Sequence, residues 1–213
     1  AMAEALQRIP SWDKASMDRL NSAADVFHQR SRNAQNLFDP GTGFFRARRN
    51  GGFAPHFDPF EVNFHYTEAN AWQYSLLPSH TYMLPTVTDK DVVWLKAHLD
   101  SLFTVQSATS GREQADITGL IGQYAHGNEP SHHMVYLYRY AGEPERMRML
   151  AKRIMDEFYH DAPDGLIGNE DCGQMSAWYV MSAIGLYQVA AGVEANYELG
   201  YPLFPRTRIT LAD

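Results

Sequence analysis

A single cysteine, Cys172, stands among 213 residues. It permits neither an intrachain disulfide nor a cysteine-built zinc site, and it leaves the redox compartment open. Clustered positive charge is as scarce. Lys and Arg number 18 against 25 Asp and Glu, for a net charge of -7 and a pI near 5.7. Apart from "FFRARRN" (Phe44 to Asn50), the basic residues are dispersed, which excludes nucleic acid as a partner. That one cluster reads as a solvated hairpin or loop rather than a binding patch. The chain also lacks a basic, then apolar, then small-residue leader. Ala1-Met2 looks like a cloning remnant before a chosen start, so a removed leader fits as well as a cytoplasmic protein. Only Ser176 to Val193 is uncharged for long enough to raise a membrane question. Its Trp178, Tyr179, Tyr187 and Gln188, with small residues between, suit a helix buried in a helical core, so no membrane partner is expected.

With 45% hydrophobic and 20% charged residues the chain can bury a core. The recurring pattern is helical. Ser11 heads a segment in which Met17, Leu20, Ala24, Phe27 and Leu37 fall near helical spacing, predicting one long helix ended by Pro40-Gly41. "DPGTGFFRARRNGGF" predicts loop with turn chemistry and a hairpin. Thr67 is expected to cap a helix running to about Leu77, with Pro78 as its stop. Thr88 is expected to open another, ending near Thr104. Pro130 favours a helix start, Gly142-Glu143-Pro144 separates it from "ERMRMLAKRIMDEFY", and a further helix begins near Met175. Arg208 to Leu211 alternates as a strand. The expectation is an all-α chain with long loops and a short terminal strand.

Long loops between amphipathic helices are where function concentrates. Three hold unusual residues. In "HYTEANAWQ", Glu68 lies between Tyr66 and Trp72, whose partial desolvation would favour the protonated form that a general acid carries. On local residues the favoured alternative is a first-turn glutamate stabilising a helix N-terminus beside the Thr67 cap. In "AHGNEPSHH", His126, Asn128, Glu129, His132 and His133 crowd together. Oxygen donors there suit calcium, and the order does not match the His-Glu-x-x-His pattern of zinc hydrolases. The alternative has Asn128 capping, Pro130 in first helical position and one histidine in the core. In "GNEDCGQMSAW", the adjacent carboxylates of Glu170 and Asp171 signal a cation, a bound substrate or a shared hydrogen-bond network, or else a helix start that favours acids. Cys172 has no base beside it and reads as a bystander thiol.

Together and in this order, "HYTEANAWQYSLLPSH", "HGNEPSHHMVYLYRYAGEP" and "GNEDCGQMSAWYVMSAIGLYQV" resemble the catalytic domain of glycoside hydrolase family 92, the calcium-dependent exo-α-mannosidases. "NLFDPGTGFFRAR" and "YELGYPLFP" extend the resemblance to nearly the whole chain. The resemblance implies an N-terminal β-sandwich joined to an (α/α)6 toroid, periplasmic or secreted relatives, and inverting hydrolysis of terminal α-mannosyl linkages in mannose-containing glycans. It assigns Glu68 as general acid and Asp171 as general base. It also makes Glu129 and Asn128 calcium ligands, and Trp72, His132, Gln174 and Glu170 substrate contacts.

Two features depart from the family pattern. Asn169 stands where some relatives carry an aspartate assisting the base, and "SHTYMLPTV" lacks the "SHD" plus glycine sequence expected there. With about six of twelve helices and no sandwich ahead of them, residues 1–213 read as a single domain, the C-terminal part of a toroid. Such a piece is expected to self-associate through its incomplete face. The competing readings are a non-catalytic remnant that binds sugar or a partner chain, and a helical scaffold without ligand.

Overall fold

The computed structural model describes residues 13–78, 89–190 and 196–210. The Ser11 and Thr88 caps, the "SHTYMLPTV" departure and Leu211 therefore lie outside the described residues.

Helix α1 (Lys14–Ser31) is capped by Asp13, whose Oδ1 accepts from the Ser16 amide at 2.7 Å. The long helix expected to reach Leu37 tightens at Arg32 into a 3-10 helix, Arg32–Leu37. Its six residues bury none of their number, and α1 buries only Ala24, so no core face holds the longer α-helix together. Two hairpins follow. Phe38–Asp39 pairs with Phe44–Phe45, and Arg48–Arg49 pairs with Gly52–Phe53. In the second, Asn50 and Gly51 both take positive φ (53° and 82°), as a two-residue hairpin turn of matching twist requires.

Helix α2 is one turn, Ala71–Tyr74, and its cap is Asn70 rather than Thr67. The Asn70 Oδ1 accepts from the Trp72 amide at 3.0 Å, while Gln73 Oε1 accepts from the Asn70 amide at 2.8 Å. Glu68 thus stands outside the helix, and a first-turn role is ruled out for it.

Helix α3 (Asp89–Leu102) and α4 (Pro144–Phe158) enclose a 3-10 segment, Met134–Arg139, in which Met134 to Tyr138 are all completely buried. The run Pro130 was expected to open is therefore 3-10 in two pieces, Glu129–Ser131 and Met134–Arg139. Leu95, Leu99 and Leu102 of α3 meet Met147, Ala151 and Ile154 of α4 around it. The spacing of those α4 residues is one helical stripe. Opposite that stripe, Lys152–Asp156 and Arg153–Glu157 form exposed pairs one turn apart.

Helix α5 (Gln174–Ile184) buries Met175, Trp178, Ser182 and Ala183. The uncharged run from Ser176 does not continue as helix. Gly185 adopts φ 82°, the left-handed C-terminal stop, and Leu186–Tyr187 turns away to pair with Glu198–Leu199. Arg208 to Thr210 form no strand and are exposed. Among the described residues the architecture is helix-rich, with five two-stranded pairings, and no helix is long and apolar enough to cross a membrane.

Candidate active site

Three loops converge above the aromatic core. Glu68, half-buried, has φ 52°, a left-handed conformation that costs a non-glycine residue roughly 1–3 kcal/mol. Asn128 holds it from across the fold. The Asn128 Nδ2 donates to the Glu68 main-chain oxygen at 3.2 Å and to its Oε2 at 3.3 Å. Asn128 stands at the N-terminus of the Glu129–Ser131 turn but makes no side-chain cap there, so its amide serves Glu68 instead. A second tie runs beneath, where Asn70 Nδ2 donates to Gln123 Oε1 at 2.8 Å and Gln73 donates to the Gln123 carbonyl. Asn70, Gln73 and Gln123 are all buried.

The aromatic surroundings expected for Glu68 are turned elsewhere. The Tyr66 hydroxyl donates to the Phe45 carbonyl at 3.0 Å and its ring packs on Tyr74. Trp72 is 7% exposed, enclosed by Phe44, Phe60 and His98 at ring separations of 4.8, 5.7 and 5.2 Å. It is a core residue and lacks the open ring face a sugar would stack on.

Asp171 opens the third loop segment. It and Cys172 have φ 52° and 55°, and Gly173 has φ 100°, three successive left-handed residues before α5. Two non-glycine residues held there mark a backbone fixed by its surroundings. Glu170 supplies part of that hold. Its carboxylate accepts from the Gly173 and Ser176 amides, and hydrogen bonds from Ser176 and Gly173 keep it below the usual carboxylate range. Glu170 is thus the cap of α5, with its oxygens engaged by backbone rather than presented to substrate. Asn169 donates to Asp116 Oδ1 at 3.3 Å.

Glu129 is exposed and interacts with both of the others. Its carboxyl is pushed above the usual range by partial desolvation, by the Asp171 carboxyl with which it shares a hydrogen bond, and by the Glu68 charge. The fold therefore gathers Glu68, Asn128, Glu129 and Asp171 from three separate segments. The loops that carry them meet backbone to backbone. A Cβ on Gly168 would come 2.6 Å from the Gly127 carbonyl oxygen, and one on Gly127 would overlap the Thr118 side chain. Gly168 also has φ 75°.

His132 is 1% exposed and does not reach the surface. Its Nε2 lies 3.0 Å from the His126 carbonyl oxygen, its Nδ1 lies 3.2 Å from Gln174 Nε2, and its own carbonyl accepts from Trp178 Nε1 at 3.0 Å. Burial drives its pKa down to about 4. His126 is buried completely between Tyr124 and Tyr159, 2.8 and 2.7 Å from their hydroxyls, and burial drives it down to about 2. The Tyr159 hydroxyl donates onward to the Met175 carbonyl at 3.2 Å, so it accepts from His126 Nε2. Both histidines thus pin the first turn of α5. Gln123, Asn70 and His126 are positioning residues that local sequence did not single out for that task; a buried Asn–Gln pair leaves no spacing signature.

Glu129 and Asn128 offer oxygen, which fits calcium rather than zinc. Among the described residues no three His, Cys, Asp or Glu side chains are arranged to hold a metal, so further oxygens of a six- to eight-fold calcium sphere would come from water, backbone or sugar.

Residues 2–213 match the model of the glycosyl hydrolase family 92 catalytic domain. Among solved structures the chain is similar to a family GH92 α-mannosidase from Bacteroides thetaiotaomicron in complex with mannoimidazole, at 35% identity and a TM-score of 0.74, covering 88% of this chain and 26% of that one. It is similar also to a family GH92 inverting mannosidase from Bacteroides thetaiotaomicron VPI-5482, at 30% identity and a TM-score of 0.65, covering 89% and 26%. A curated relative, an uncharacterized secreted glycosidase of Arthroderma benhamiae, is 26% identical over 187 residues, 79% of this chain and 23% of its own length. The chain spans about a quarter of the length of each.

Proposed function

The chain belongs to glycosyl hydrolase family 92, and we propose that it carries the acid and base of an inverting, calcium-dependent hydrolase of terminal α-mannosyl linkages in glycans. The observation that carries this reading is the convergence of Glu68, Glu129 and Asp171, with Asn128 bonded to Glu68 and two of the three carboxylates on left-handed backbone. Its helices would then be part of an (α/α)6 toroid whose other helices, and a β-sandwich, complete the sugar pocket.

In this reading Glu68 gives its proton to the departing glycosidic oxygen. Asp171 takes a proton from the water whose oxygen attacks the anomeric carbon from the opposite face. One C–O bond forms as the other breaks, and inversion requires about 6.5–9.5 Å between the carboxyl groups to admit that water. Asn128 orients the Glu68 carboxyl, and Glu170 fixes the turn that bears Asp171 by capping α5. Asn169 cannot take a proton as an aspartate would, so Asp171 works as base without a second carboxylate from that position. Glu129 and Asn128 would hold calcium, which when bound supplies positive charge and a template for vicinal sugar hydroxyls.

The test is hydrolysis of a chromogenic α-mannoside by the protein at its full natural length, with the first-formed anomer read by NMR. Release of β-mannose supports the reading; release of α-mannose, or no mannose, overturns it. The 213 residues taken alone are expected to self-associate. Val93 of α3 and Val180 of α5, 69% and 56% exposed, lie on faces that neighbouring toroid helices would cover. Sedimentation as a monodisperse monomer would contradict that.

A further inference from the structure

Tyr66 and Trp72 turn inward, but Phe64 turns out. At 92% it is the most exposed large apolar side chain among the described residues. Its backbone is nevertheless fixed. Asn63 Oδ1 accepts from the His65 amide at 2.9 Å, closing a turn with Phe64 at its tip, and Asn63 Nδ2 donates to Glu61 Oε2 at 2.9 Å. Glu61–Val62 pairs in parallel with Ser110–Gly111, and the Arg112 amide donates to the Val62 carbonyl at 3.0 Å. That pairing seats the Arg112 guanidinium over the Phe64 ring, 4.8 Å from its centre.

The Phe64 ring is all that Arg112 holds. The side chain is half-buried, its Nε is buried without a hydrogen-bond partner, and among the described residues it forms no ion pair. A guanidinium only donates, and leaving its N–H groups unfilled costs stability. Both residues are also locked to the proposed acid. The Gln123 side chain that accepts from Asn70 donates to the Gln106 and Ala108 carbonyls at 2.7 and 3.0 Å, so the segment running into Arg112 and the loop of Glu68 share one buried anchor. Phe64 precedes Glu68 by four residues, which keeps their Cα atoms within about 14 Å, inside the span of a short glycan. In an inverting hydrolysis the acid touches the departing oxygen, so the leaving group lies on the Glu68 side of the bond and the water on the Asp171 side.

We propose that Phe64 and Arg112 form the subsite for the leaving portion of the glycan, the phenyl ring stacking on the C–H face of its first sugar and the guanidinium donating to that sugar's hydroxyls. This rests on the α-mannosidase reading and deepens it, since it names the residues that read what the mannose is attached to. A rigid aromatic face bordered by unfilled donors matches a pyranose, which offers an apolar face rimmed by hydroxyl acceptors. An acidic leaving group would also suit a guanidinium. It would, however, approach the charges of Glu68, Glu129 and Asp171, which repel it, so the subsite is assigned to a neutral sugar.

The experiment takes the protein at its full natural length and measures the ratio of kcat/KM for the α-linked mannobiose it cleaves best to that for methyl α-mannoside. Phe64→Ala and Arg112→Met should each lower that ratio about tenfold. Phe64→Trp keeps a ring face and should keep the ratio, whereas Phe64→Leu keeps only apolar bulk and should lose it. Phe64 is so exposed that its replacement should leave the thermal midpoint in place. An unchanged ratio in Phe64→Ala, or a full ratio in Phe64→Leu, overturns the proposal. So does a Phe64→Ala protein whose midpoint falls while both substrates lose rate equally, the behaviour of a side chain covered by the rest of the protein. A loss in Arg112→Met confined to a mannosyl phosphodiester would make this an anion site and overturn the assignment to a neutral sugar. Absence of any mannoside turnover by the unaltered protein fails the hydrolase reading and this one with it, whereas turnover with a mannobiose preference that survives both substitutions fails this one alone.

Discussion

One amide of Asn128 holds both the backbone and the carboxylate of Glu68, at 3.2 and 3.3 Å, across sixty residues of sequence. The proposed acid is fixed by the neighbour of Glu129, so the acid and the proposed cation site move together.

If Glu68 is the acid, Glu68→Gln should depress hydrolysis of mannosides with poor leaving groups by roughly 10²–10⁴-fold, and of activated aryl mannosides far less. At saturating calcium, Asn128→Ala should show the same pattern, weaker, because the carboxyl remains but is no longer aimed. Steady-state kinetics on a leaving-group series reads both, and equal losses across the series would assign Glu68 a structural role.

Calcium dependence is proposed from the oxygen donors of Glu129 and Asn128. Chelator should abolish mannoside hydrolysis, calcium should restore it, and zinc should not. Glu129→Gln should raise the calcium concentration needed for half-activity. Full activity in excess chelator would remove the metal from the mechanism.

The Gly127–Gly168 contact predicts that Gly168→Ala will cost roughly 1–3 kcal/mol through its positive φ and the clash with the Gly127 backbone, with kcat falling more than stability explains. Gly127→Ala should behave alike. Gly52→Ala, with nothing within 4 Å and no positive φ, is the control and should leave both quantities unchanged. Thermal unfolding together with kinetics distinguishes these outcomes.

Buried neutral histidines set the acid side of stability. Burial lowers His98 and His132 from 6.5 to about 4, His126 to about 2, and pushes His133 down as well. The unfolded chain therefore binds more protons than the folded one below pH 6.5, and unfolding free energy falls as pH falls toward 4. His98 alone, 6% exposed, accounts for about 3 kcal/mol across that window. Urea unfolding at pH 7, 5.5 and 4.5 should show a steady loss; equal midpoints would show that these rings are protonated in the folded protein.

Helix α4 was legible because Met147, Ala151 and Ile154 repeat on one face and Pro144 marks its start. The Asn50-Gly51 turn was legible because it needs positive φ at both residues. The start of α2 was not. Thr67 and Asn70 are both cap residue types, and Asn70 wins because it bonds reciprocally with Gln73 and its amide also reaches Gln123, a partner 53 residues away. The same holds for the site. Motifs named Glu68, Glu129 and Asp171, and the fold gathers them. No local pattern told that Trp72 faces Phe44 and His98, or that Glu170 spends its oxygens on backbone amides. The uncharged run after Ser176 misled because Gly185, one residue, stops the helix within it.

In the proposed inverting reaction, product stereochemistry depends on the gap between Glu68 and Asp171. Here that gap is spanned by one side chain and then by main chain: the Asn128 amide ties Glu68 to the loop that starts at Gly127, and Gly127 lies directly against Gly168 in the loop that ends at Asp171. Beyond the Asn128 amide, the spacer is backbone and has no side chain to trim. Exchanging amino acids along it can misalign the reaction or weaken it, but it offers no graded route to the roughly 5–5.5 Å separation of a retaining enzyme. Descendants of this sequence should diversify in which sugars they accept while all producing the same anomer.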